Sequence, residues 1–147
     1  MQNYLNIISE VFPIGTEEYR ILEDAHNLII SSTPQISAEY KNKMITLDRV
    51  RAELSSLYFM VSRNMSNLKS GVQKDYDAKY THLVKVGRPS NTAIEAEIRL
   101  TNPDYVVAFN KIEELDTVRT LITSYIKCID SCKNTTIELL KDSRRID

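Results

Sequence analysis

The chain has 147 residues, 42% of them hydrophobic and 27% charged, with a net charge of −1 and two cysteines. That length suits a single helical domain able to bury a core, and no apolar run reaches the ~18 residues needed to cross a bilayer. Three glycines and four prolines are too few for a sheet with its frequent turns, so the expected fold class is all-α.

The N-terminal stretch MQNYLNIISEVFPIG has neither a basic n-region nor a small-residue cleavage site, so a soluble, cytoplasmic protein is expected. Ile7, Ile8, Val11 and Phe12 suit a short helix or a loose arm, broken by Pro13 and Gly15. Thr16 is a suitable N-cap and Glu17 and Glu18 favour the dipole of a first turn, which predicts a helix over 16–31.

Thr33 as N-cap and Pro34 at the first helical position open the next element. Ile36, Tyr40, Met44, Leu47, Val50, Leu54, Leu57, Val61, Met65 and Leu68 then advance in steps of three or four, and Gly71 is a normal C-terminal stop. A long helix over 34–70 follows. Residues 72–90 lose that period; Tyr76, Ala78 and Tyr80 alternate, Leu83, Val84 and Val86 cluster, and Gly87 and Pro89 close the stretch. An irregular segment or a short β-ribbon is expected there. Thr92 and Glu95 form a capping-box pattern that opens a short helix over 92–100.

Asn102, Pro103 and Asp104 are an N-cap, a first helical residue and a first-turn carboxylate. They begin a long helix over 103–141, with Tyr105, Phe109, Ile112, Leu115, Val118, Ile122, Tyr125, Ile129, Cys132, Thr136 and Leu139 on one face. Cys128 and Cys132 stand one helical turn apart, with no CxxC motif and no second ligand pair for zinc, so reduced packing thiols are expected and no metal.

Helices of those lengths would run ~55 and ~58 Å, whereas a globule of this size has a diameter on the order of 40 Å. The expectation is an elongated helical bundle with two long helices and a short irregular or β-ribbon segment between them. Its apolar stripes would be shared between copies in a homo-oligomer. The self-association face assigned on this ground is Ile112, Leu115, Val118, Ile122, Tyr125, Ile129 and Leu139.

The net charge hides a division. Residues 1–33 carry one base against five acids, 34–89 carry ten bases against five acids, and 90–147 carry eight bases against ten acids. The surplus of bases in the middle comprises Lys41, Lys43, Arg49, Arg51, Arg63, Lys69, Lys74, Lys79, Lys85 and Arg88. Between Lys74 and Arg88 the bases are interleaved with Tyr76, Tyr80 and His82, a mixture suited to single-stranded nucleic acid, where cations follow phosphates and rings stack on bases. Solvated helix faces use the same residue types, and Asp48 and Glu53 are available partners for the first four cations. No phosphate-binding glycine loop, nucleophile motif or clustered set of histidines and acids is present, so an enzyme and a cofactor are not expected.

The segment LDRVRAELSSLYFMVSRN, the basic and aromatic middle, and EAEIRLTNPDYVVAFNKIEELDTVRTLITSYIKCIDSC together resemble the UvsY-like recombination mediator proteins of T-even-type phages. The resemblance spans most of the chain and rests on pattern and length. It implies a small, ring-forming, non-enzymatic protein that binds single-stranded DNA and helps load a RecA-like recombinase onto strands coated by a single-strand-binding protein. It also implies a basic K/R-A-K/R site, whose nearest counterpart is Arg51-Ala52-Glu53. Glu53 departs from that pattern, which moves the expected DNA contact toward Arg63 to Arg88. The alternative expectation is a helical virion, assembly or adaptor protein that binds other proteins and no nucleic acid; a small regulator acting by occlusion is a third.

Overall fold

In the computed structural model, which describes residues 2–31, 37–85, 87 and 90–146, every regular element is an α-helix and no strand occurs among the described residues. The elements are α1 (Gln2–Val11), α2 (Glu17–Ile30), α3 (Ser37–Val84), α4 (Asn91–Thr101) and α5 (Pro103–Ile146). Thr33, Pro34 and Ile36 lie outside the described residues, as do Val86, Arg88 and Pro89.

α1 ends before Pro13, and the chain turns at Gly15, whose φ of 94° is the left-handed conformation that glycine adopts without a Cβ penalty. Thr16 caps α2 as expected: its Oγ1 accepts the N–H of Tyr19 at 3.3 Å. α1 packs against α2.

α3 corrects the sequence reading. It continues through Gly71 to Val84, so most of the stretch read as irregular or β-ribbon is helix. Gly71 has a negative φ and no neighbouring atom that an added Cβ would meet. Its only handicap is the ~1 kcal/mol by which glycine trails alanine in a helix, too little to stop a helix whose next turns are anchored. The anchors are Val72, Tyr76 and Leu83, which keep the helical step beyond the glycine and pack on a buried cluster of Ile94, Ile98 and Tyr105. Gly71→Ala is therefore expected to stabilise the protein by about 0.5–1 kcal/mol in a denaturant titration. A loss of stability would show that the glycine conformation is needed.

The N-cap of α4 lies two residues before the expected one. Ser90, in place of Thr92, accepts the Ala93 N–H at 3.2 Å. Asn102 serves two helices at once. Its backbone N–H closes α4 on Ile98 O at 2.8 Å, and its Oδ1 accepts the N–H of Tyr105 at 3.3 Å to open α5. α5 then runs to Ile146.

The chain divides into two compact units, Met1–Met60 with Val118–Asp147, and Val61–Thr117. The first unit buries Ile8, Ile21, Leu22 and Ala25, the α3 residues Tyr40, Leu47, Val50, Leu54 and Leu57, and the α5 residues Val118, Ile122, Tyr125, Ile129 and Thr136. Polar bridges join the same helices: Arg51 Nε donates to Asp130 Oδ1 at 2.6 Å, Lys133 pairs with Asp48, and Tyr125 Oη meets His26 Nδ1 at 3.3 Å. The second unit buries Val61, Met65 and Leu115 besides the cluster around Ile94.

This burial corrects the expectation of an open α5 seam. Of the residues assigned to self-association, Leu115, Val118, Ile122, Tyr125 and Ile129 are buried within one chain, and Ile112 and Leu139 are half-buried. Leu115 belongs to the core of the second unit, and Val118, Ile122, Tyr125 and Ile129 to that of the first.

Candidate nucleic-acid interface

The sequence reading named ten bases, two tyrosines and a histidine, and the structure separates them by what each already touches. Arg51 is tied to Asp130 through two hydrogen bonds, at 2.6 and 3.3 Å. The carboxylate accepting from it raises the Arg51 pKa further, and the same contact holds the Asp130 carboxyl below its usual range. Arg49 donates to Glu53 Oε1 at 3.1 Å, the i, i+4 pairing available from sequence. Lys43 is half-buried and Lys41 exposed. These four belong to the first unit, and two of them are engaged in structural ion pairs.

In the second unit, two more candidates are turned inward. Tyr76 packs on the Ile94 cluster and its Oη donates to Asn91 Oδ1 at 2.8 Å, so its ring is no open stacking platform. Lys79 lies 3.5 Å from Glu97 with its side chain 22% exposed. Both follow from helical α3, because 72, 76, 79 and 83 share the face that covers α4.

What remains is ordered. Arg63, Lys74 and, in the turn after α3, Lys85 are exposed and stand eleven residues apart. Eleven residues make close to three turns, so the three cations occupy one face at intervals of ~16 Å. That face is opposite Val61, Met65 and Val72, which point to the core. Asn67, Ser70, Asp77 and Thr81, all exposed, lie between the cations, and Asp77, one turn from Lys74, accepts from Gln73 Nε2 at 2.8 Å. Among the described residues none of the three has an acidic partner within ion-pair distance. Lys69 and Tyr80, again eleven apart and exposed, form a second row on the same helix. His82 is exposed as well, and Arg88 lies outside the described residues.

The remaining surface of the second unit has the opposite sign. Its α4 and α5 parts carry Glu95, Glu97, Asp104, Glu113, Glu114 and Asp116 against Arg99 and Lys111. Lys111 pairs with Glu114 at 3.4 Å, and Arg99 sits 5.0 Å above the ring of Phe109. Most bases of this unit thus lie along α3, where they are interleaved with Asp75 and Asp77. Asn67, Ser70 and Thr81 were missed by sequence reasoning, although the helical step that places them is readable once Gly71 is treated as internal.

Cys128 is an exposed and Cys132 a half-buried free thiol. Among the described residues there is no group of three or more His, Cys, Asp or Glu arranged to hold a metal, and no helix long and apolar enough to cross a membrane. No protein-family model, curated protein or solved structure matches the chain.

Proposed function

We propose that this chain is a non-enzymatic, cytoplasmic single-stranded DNA-binding protein that acts as a recombination mediator. It holds strands for a RecA-like recombinase in the presence of a single-strand-binding protein. The observation that supports this reading is the row of Arg63 and Lys74 on one face of α3 and Lys85 in the turn after it, three exposed cations without acidic partners among the described residues. Their regular spacing suits a phosphate backbone laid along the helix, and the exposed Tyr80 ring is available to stack on a base, a contact with little sequence preference. Nothing in the row reads base edges, as suits a protein that must accept any strand.

Three cations make a weak site. Copies joined in a homo-oligomer each add their own phosphate contacts to one strand, and that linkage supplies avidity that a single copy lacks. The test is a titration of labelled single- and double-stranded oligonucleotides at 50 and 200 mM salt, with mass measured in the same buffer. Three phosphate contacts give a log–log salt slope of about −2, a roughly twentyfold loss of affinity across that range. No retention of single strands at the lower salt ends this reading.

Exposed Leu100 and Val107, 81% and 67% accessible, favour a second reading as an assembly or adaptor protein. The same titration separates the two, since an adaptor of that kind retains no oligonucleotide at either salt concentration.

A further inference from the structure

The first unit contains a groove of about 360 Å³ between α2 and α3. Its apolar lining includes Ile21, Leu57 and Met60, and its carboxylates are Glu17, Glu18 and Glu53. Ala52 and Ser56, both exposed and short, leave room for another backbone to come close. Phe59, next to Met60, is 71% exposed and rests edge-on against Tyr58, with ring centroids 5.9 Å apart.

The groove is not electrically neutral. Arg20 is shared among Glu17, Asp24 and Glu53, and Arg49 also pairs with Glu53. With Glu18, that sets four carboxylates against two guanidinium groups. Glu53 uses only Oε1 in these pairs; its Oε2 is buried without a hydrogen-bond partner. With Oε1 of Glu53 shared by two guanidinium groups and Oε2 buried, the carboxylates open to a visitor are those of Glu17 and Glu18 at the rim.

We propose that this groove is a docking site for a cationic amphipathic helix of a partner protein. The apolar face of such a helix lies on Ile21, Leu57 and Met60, and its lysines or arginines meet Glu17 and Glu18. Charge complementarity selects this occupant: an acidic or neutral helix of the same apolar face leaves the excess carboxylates unmatched. The site belongs to the first unit and stands whether or not the α3 cation row binds DNA.

The experiment is fluorescence anisotropy of the full chain with a labelled 14-residue helical peptide bearing leucines on one face and lysines on the other. Two controls are a peptide with glutamate for lysine and a scrambled peptide of the same composition. Both controls are expected to bind at least ~10-fold more weakly. Met60→Lys and Glu18→Lys in the groove are expected to weaken the lysine peptide by ~10-fold, whereas Leu100→Lys, in the other unit, leaves it unchanged. Glu18→Gln, a substitution away from the core, keeps the test valid if Met60→Lys fails to fold. Equal binding of the scrambled peptide overturns the proposal in favour of unspecific charge attraction. Unchanged binding by the groove variants also overturns it, and so does a wild-type dimer that Met60→Lys dissolves, since a second copy is then the occupant.

Discussion

The variant R63Q/K74Q/K85Q is expected to lose nearly all salt dependence of single-strand binding, its log–log slope moving from about −2 toward zero. Each released phosphate contact removes ~0.7 from the slope on a single strand, so single variants should step down in equal parts. Arg49→Gln is the informative control: that guanidinium already donates to Glu53, so its removal should leave the slope unchanged. The three row residues are exposed, so their thermal unfolding should stay within ~0.5 kcal/mol of wild type. If the triple variant keeps the wild-type slope, the DNA contact is elsewhere and the row is a solvated helix face.

Ile122→Asp is expected to unfold the first unit rather than to yield a folded protein that has lost only its partners. Ile122 is 0% exposed. Truncation to alanine at such a site costs ~2–5 kcal/mol, and a carboxylate there adds the expense of burying an unpaired charge. A domain of this kind has about 5–15 kcal/mol in total. Since the chain has no tryptophan, helical circular dichroism against denaturant is the suitable readout, with Ile122→Ala as the milder comparison. A well-folded Ile122→Asp protein of lower mass than wild type would instead mean that this face is shared between copies.

The two expectations that the structure revised have a common origin. Gly71 looked like a helix stop because glycine is the commonest residue just past a helix end. Whether a given glycine ends a helix depends on what the following turns touch. Val72, Tyr76 and Leu83 have Ile94, Ile98 and Tyr105 to cover, and those partners come from two helices, α4 and α5, further along the chain. The α5 stripe was read correctly as apolar and continuous. Whether it faces a second copy or its own chain depends on how the chain folds back, which periodicity does not encode.

Local chemistry was legible. Thr16 and Asn102 cap the helices assigned to them because capping needs only a side-chain oxygen and the next few backbone N–H groups. The all-helical class followed from the scarcity of glycine and proline and from the three-to-four-residue steps of Leu47 through Met65. The Arg49–Glu53 pair followed from i, i+4 spacing.

Which cations are open to a ligand was decided only in three dimensions. Arg51 and Lys133 find Asp130 and Asp48 across 79 and 85 residues of chain, and Lys79 turns to Glu97 on another helix. Ion pairing depends on distance in space and not on separation along the chain. The order of residues determined that positive charge collects on and just after α3, and the fold determined that Arg63, Lys69, Lys74 and Lys85 are among the cations left without an acidic partner within the described residues.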